Sequence, residues 1–340
     1  MSGLPRVEKT ALCSTGCTIK CVSVRYNHVH NRLATILVLF FCVAGVCRAQ
    51  YDPLFSHYWA MEPTFNPASV GKESKINVNA AYALSFAGFE HNPRTFYAGA
   101  DMPFYFAKAY HGAGISLMND QIGLFTHQLL ALQYAYRFKL FGGMLAAGVQ
   151  AGVLVENFDG SRVDVIDDGD EAFSTSEVKG QSLDLDVGLY YQHGPWYVGA
   201  SVKHLTAPLI ELGETNELQV DRTYYLTGGY NIRLRNPFLT IHPSVIVRTD
   251  GVAYRGDVTA RIVYNHDKKL LYAGVGYSPT NSFTAMIGGS IHGIHLGYSY
   301  EVYTSDISIG NGSHELFVSY QTDINLTKKG KNKHKSVRIL

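Results

Sequence analysis

Cysteine is confined to the first 47 of the 340 residues, at Cys13, Cys17, Cys21, Cys42 and Cys47. Everything after Cys47 is thiol-free, which excludes disulfides and thiolate metal sites from the remainder. Long apolar runs are as scarce. Leu33 to Val46 is the only one, about 14 residues against the ~20 that a spanning helix needs. Neither sign of charge dominates, with 29 Lys and Arg against 28 Asp and Glu. The first 49 residues hold six bases and one acid, and residues 327–340 hold six bases and no acid. That leaves 17 basic against 27 acidic residues over 50–326. An acidic body excludes nucleic acid as a partner, since that role needs a basic face. The sequence has no Gly-x-Ser-x-Gly elbow and no His-Glu-x-x-His. His292 and His295 fall on opposite faces of a strand, poor for sharing a metal. Gly112-Ala113-Gly114 lacks the third glycine of a dinucleotide loop and sits in a strand pattern. No enzyme activity, cofactor or metal is expected.

The apolar run has a role that its length allows. Arg25 and Arg32 precede it, and Cys47-Arg48-Ala49 puts small residues at the −3 and −1 positions. Residues 1–49 therefore read as a signal peptide cut between Ala49 and Gln50. Lipidation at Cys47 is the alternative, with Val46 a poor residue before it. Residues 1–24 are long for an n-region, so a start downstream of Met1 stays open.

What fills the rest of the chain is alternation. Val198, Ala200 and Val202 alternate with Gly199, Ser201 and Lys203; Val258, Ala260 and Ile262 alternate with Thr259, Arg261 and Val263; Ile294, Leu296 and Tyr298 alternate with His295, Gly297 and Ser299. Successive strand side chains face opposite ways, so each segment has one apolar face and one face of Gly, Ser, Thr and charge. Repeated over ~10-residue segments, this predicts an all-β fold, a transmembrane antiparallel barrel, apolar toward lipid and polar toward the lumen. A soluble β-sandwich is the competing reading. Fourteen strands are expected between residues 73 and 326. Their long connections, 158–181, 206–221 and 304–312, are all odd-numbered, and 234–237, 267–269 and 292 are short and even-numbered. Short periplasmic turns and longer external loops give that parity. Tyr97, Tyr110, Tyr134, Tyr136, Tyr272 and Tyr303 near strand ends suit aromatic girdles. Arg137 and Arg261 are expected to point inward and to pair with Asp184, Asp186 or Glu301, because on the lipid face each would cost ~2–4 kcal/mol at mid-depth.

Residues 50–72 carry Trp59, Phe55, Phe65 and the prolines Pro53, Pro63 and Pro67, with no strand period. They are expected to fold into the lumen as a plug or to line the periplasmic mouth. Asp159, Asp164, Asp167, Asp168, Asp170 and Glu171 form an acidic loop, either solvated or a calcium site. The basic tail 327–340, with Lys328, Lys329, Lys331, Lys333 and Lys335, is either disordered or an electrostatic docking segment.

Several ordered landmarks carry a resemblance. Gln50-Tyr51-Asp52-Pro53-Leu54-Phe55-Ser56-His57-Tyr58 is followed by Asn66-Pro67-Ala68, then Pro93-Arg94-Thr95. Gly114-Ile115-Ser116-Leu117-Met118-Asn119-Asp120 and Tyr134-Ala135-Tyr136-Arg137 come next. Gly188-Leu189-Tyr190-Tyr191, Arg222-Thr223-Tyr224-Tyr225-Leu226 and Ser313-His314-Glu315 complete the series. Together these resemble the PorP/SprF outer-membrane proteins of the type IX secretion and gliding machinery of Bacteroidota. The resemblance implies an integral outer-membrane protein that helps export and hold large adhesin-like cargo. Its implied partners are other secretion subunits, cargo and outer-membrane lipid. It also marks Asp52, Pro53, Phe55, Ser56, Asn66, Pro67, Ala68, Arg94, Thr95, Asn119, Asp120 and Arg137 as candidate partner or plug residues. The basic tail departs from the family, which often ends near its last strand. A passive channel for small or apolar solutes is the alternative function.

Overall fold

The computed structural model describes residues 52–162, 177–213, 216–267, 269–279, 281–304 and 311–324. The predicted cleavage site, the acid-rich stretch 164–171 and the basic tail lie outside them. The strands are β1 (Lys75–Leu84), β2 (Arg94–Phe106), β3 (Ala109–Ile122), β4 (Phe125–Leu140), β5 (Gly143–Asp159), β6 (Glu177–His193) and β7 (Trp196–Lys203). They continue as β8 (Leu209–Leu212), β9 (Asn216–Gln219), β10 (Thr223–Tyr230), β11 (Ile232–Arg233), β12 (Leu239–Thr249) and β13 (Tyr254–His266). The last are β14 (Lys269–Ser278), β15 (Ser282–Ile291), β16 (Ile294–Tyr303) and β17 (Ser313–Asp323). Neighbours in sequence pair antiparallel around the ring, and β1 closes it against β17 from Lys75↔Asp323 to Leu84↔His314. β10 and β11 are one barrel strand broken at Asn231, since both pair with β12. β8 and β9 form a separate hairpin. The result is a closed barrel of fourteen strands, as the alternation predicts.

Closure satisfies the backbone, and alternation sorts the side chains. On β4, His127, Leu129, Ala131, Gln133, Ala135 and Arg137 are buried, while Leu130, Leu132, Tyr134, Tyr136 and Phe138 are exposed. Large apolar residues are exposed in the same way around the ring: Val78, Ile115, Leu183, Leu226, Ile262, Val275, Ile287, Leu296 and Leu316 among them. An outward apolar belt over a polar interior is stable only in lipid, where a ring of strands leaves no unpaired edge.

The two ends of the barrel differ. Connections 107–108, 141–142, 194–195, 267–268 and 292–293 are two-residue turns at one end, hereafter the turn end. Ala107 and Lys108 both have positive φ, as do Phe141 with Gly142 and His292 with Gly293. Those paired left-handed residues match the twist of the strands they join. Connections 85–93, 160–176, 204–222 and 304–312 crowd the loop end. β5 and β6 run 17 residues each, past the length that crosses lipid, so strand replaces part of the loop expected over 158–181. The loop expected over 206–221 holds the β8–β9 hairpin. Its Ile210 and Leu212 are buried, and a Cβ on Gly180 of β6 would strike Ile210. Tyr110, Tyr134 and Tyr136 stand in the outward girdle as expected. Tyr97, Tyr272 and Tyr303 do not: Tyr97 and Tyr272 are buried inside, and Tyr303 bonds Ser313 at 2.7 Å on an inward position. Parity, not nearness to a strand end, decides which face a tyrosine takes.

Candidate functional site

The segment from Asp52 to Lys72 forms no strand. Two single 3-10 turns, Glu62–Thr64 and Pro67–Ser69, fold it back on itself. Each has proline in its first turn, where the missing N–H is not needed. Asn66 caps the second by accepting the Ala68 N–H at 3.0 Å. At Gly71 (φ 62°) the backbone passes so close to β2 and β3 that a Cβ would lie 2.8 Å from both the Met102 carbonyl oxygen and Gly112 Cα. Only glycine fits there.

Most side chains of this segment are buried and none is exposed, and its bonds go to inward-facing residues on many of the strands. Near the loop end, Lys203 Nζ donates to Asp52 Oδ1 at 2.5 Å, and His204 Nε2 lies 3.2 Å from the same oxygen. Arg248 donates to the Asp52 carbonyl. Asp184 Oδ2 lies 2.9 Å from the other ring nitrogen of His204, Nδ1, and Asp186 accepts the His204 backbone N–H at 2.9 Å and Gln150 at 2.5 Å. Burial alone would raise the Asp52 carboxyl, but Lys203 and His204 hold it well below its ordinary value. Burial would likewise lower the His204 imidazole, but Asp52 and Asp184 raise it to about 9. Asp184, Asp186 and His204 bring their ligand-type atoms within 4.8 Å of one another, the only such group among the described residues. The protein's own Lys203 ammonium and the His204 imidazolium already supply the positive charge there.

Opposite this cluster, Glu315 of β17 takes the N–H groups of Ser56 (2.5 Å) and His57 (3.1 Å) and the His57 Nδ1 at 2.6 Å. His57 stacks on Phe317, Phe55 packs on Tyr97, Phe65 stacks on Tyr225, and the Tyr58 hydroxyl bonds Ser244 at 2.8 Å. Further along, Gln133 donates to the Pro63 carbonyl (2.7 Å), Ser201 to Phe65 (2.5 Å) and Arg137 to Ser69 and Val70 (3.2 and 2.7 Å). The inner wall is cut to fit: a Cβ on Gly112 would meet the Val70 carbonyl, and one on Gly148 would meet Ala68. A buried charge or carbonyl stranded here would cost several kcal/mol, and the paired arrangement avoids that.

Of the residues that the resemblance marks, Asp52, Phe55, Ser56, Asn66, Pro67 and Ala68 come together with Arg137 in this one contact network. Asn66 also donates to the Leu189 carbonyl at 3.0 Å. Thr95 and Asp120 form a separate buried pair at 2.6 Å on β2 and β3. Arg94 is exposed at the loop end, and Asn119 takes a bond from Gln128 outside the network. Lys328 to Lys335, Ala49 and Gln50 lie outside the described residues. The expected ion pairs of the inward arginines do not form. Arg137 donates to the carbonyls of the N-terminal segment, Arg261 lies 3.4 Å over the Trp59 ring, and Glu301 pairs with Arg255 at 2.9 Å. The segment stands between those arginines and the acids, so it takes the bonds. Lys203, His204, Arg248 and Glu315 were not marked as site residues from sequence, although Glu315 stands in one of the family landmarks. A charge at an inward position of an otherwise small or polar face was the signal available for three of them.

Toward the turn end, a cavity of about 460 Å³ lies between the segment and the barrel wall, lined by Trp59, Lys72, Arg261, Tyr272 and His295, among others. Lys72 is committed to Glu62 at 2.6 Å.

No curated protein matches the sequence. The solved channel "CymD monoaromatic hydrocarbon channel" is 10% identical, with a TM-score of 0.50, over 83% of this chain and 96% of that one. A Pseudomonas aeruginosa FadL homologue is 13% identical, with a TM-score of 0.45, over 84% of this chain and 97% of that one. The family described as "Type IX secretion system membrane protein PorP/SprF" matches residues 47–320. With the closed barrel and its lipid-facing belt, that match makes this an integral outer-membrane protein. The chain belongs to the PorP/SprF family of type IX secretion system membrane proteins.

Proposed function

We propose that the protein is a non-enzymatic component of type IX secretion that supports export and surface attachment of large adhesin-like cargo. It does so by binding machine subunits, the cargo's C-terminal domain, or both. Family membership over residues 47–320 carries this reading. The contacts of the N-terminal segment support it. In this reading residues 1–49 are the signal peptide, 50–72 a plug, 73–326 the barrel and 327–340 a docking tail whose lysines meet an acidic partner. A plugged barrel works through its surfaces, namely the long loops, the turn-end mouth and the tail.

Deletion of the gene tests this. Surface display of one or a few large proteins is lost, while uptake of small solutes is nearly unchanged. Normal display together with lost uptake of a solute would instead make the barrel a passive channel.

A further inference from the structure

We propose that the turn-end cavity is a binding site for a carboxylate carried on an apolar or aromatic body, anchored by Arg261. The inference rests on the cavity and is independent of the secretion reading. Arg261 points inward from β13 and is 8% exposed. Among the described residues no carboxylate lies within ion-pair distance of it, and its Nε has no acceptor. A buried guanidinium without a carboxylate partner is costly. Arg137 and Arg248 also leave Nε without an acceptor, but each donates to a carbonyl of the N-terminal segment, and no such bond is made by Arg261 among the described residues. Its face is fixed against Trp59 at 3.4 Å, which orients the planar fork and leaves its edge for a bidentate acceptor.

The acids nearby are already committed. Glu62 is held by Lys72 at 2.6 Å, Glu73 lies 3.6 Å from Lys75, and Asp101 takes the Gly71 N–H at 2.7 Å and Asn77 at 3.0 Å. Two more buried donors in the same wall, Trp59 Nε1 and Tyr272 Oη, also have no partner. Arg261, Trp59 and Tyr272 line a single cavity whose volume suits a small ligand or the end of a chain. Trp59, Tyr272 and Phe317 supply the apolar walls, and Lys75, Gln192 and Gln321 at strand ends place the opening on the turn side. A cation without an acid partner beside aromatic walls fits a carboxylate next to a ring or aliphatic group. A polypeptide C-terminus and a free aromatic acid both offer that chemistry.

The chain has two tryptophans, so Trp196→Phe leaves Trp59 as the sole indole reporter. Three probes are titrated into that protein in detergent: 3-phenylpropanoate, a tripeptide ending in Phe with a free carboxylate, and the same tripeptide amidated. The carboxylates give a saturable change in Trp59 emission, and amidation weakens binding about tenfold to a hundredfold, the worth of a charge-assisted pair. Arg261→Gln brings both carboxylates to the level of the amide, with folding checked by heat-modifiable gel migration. Tighter binding of the peptide assigns the site to a chain terminus, and tighter binding of the free acid assigns it to a small molecule. Equal affinity for acid and amide in the Trp196→Phe protein overturns the proposal, as does no response to any probe at millimolar concentration. Those two readings stand even if Arg261→Gln fails to fold.

Discussion

Replacing Lys203 by Met would leave Asp52, buried beside Asp184 and Asp186, without its ammonium partner, with His204 and the Arg248 that bonds its carbonyl left to offset three acids. Breaking a buried pair from one side costs about 3–5 kcal/mol. Lys203→Met should therefore lower the temperature at which the barrel loses its heat-modifiable migration, while Lys179→Met, in an exposed pair at 3.2 Å, should not. The same cluster carries a pH dependence. His204 has a folded value of about 9, above its ordinary 6.5, so its stabilisation is complete below pH 6.5 and lost as the pH rises through 9. Asp52 is shifted the other way, so its contribution is present above its ordinary 3.8 and lost on acidification. Between pH 7 and 10 the start of the N-terminal segment should become cleavable by added protease, and His204→Gln should remove that pH step. At this scale the sequence was legible in parts. Asp52 and Arg137 stood out, yet their partners lie up to 196 residues away in bonds such as Arg248 to Asp52. Period-two reading gives a residue's face; it cannot say what stands opposite.

Among the elements, the strands were readable and the inserts were not. Each expected strand has its counterpart, because apolar-out alternation and turn residues are local properties. The β8–β9 hairpin was missed because four-residue strands carry too little period, and its burial comes from lying over Gly180. The N-terminal segment could be recognised from its prolines as non-strand, and so as a plug or a mouth lining, but its path could not, since that depends on wall glycines far away in sequence. Gly148→Val tests that dependence. The new side chain would meet Pro67 and Ala68, so the segment should be displaced while the barrel still folds, seen as faster proteolysis between Asp52 and Lys72. The orientation of the elements can be read in the same protein. A cysteine at Gly251, in the 250–253 loop, should react with an impermeant maleimide on whole cells; one at His292, in a turn, should not.

For the whole molecule, the fourteen-strand ring, its loop parity and the family were all legible from alternation, connection lengths and short ordered motifs. The place of residues 50–72 was left between a plug and a lining of the periplasmic mouth, because it depends on contacts between the first twenty described residues and strands throughout the chain. Fourteen strands enclose more space than the side chains of an eight-strand barrel would fill, and less than an open porin of sixteen or more. In the proposed plug reading, chain lodged against the inner wall takes up the difference. The central proposal, that residues 50–72 act as a plug that closes this barrel, is tested most directly by conductance of the purified protein in a planar bilayer. The wild type should show no steady ion current, and Gly148→Val should open one. A steady current through the wild type, unchanged in Gly148→Val, would contradict it.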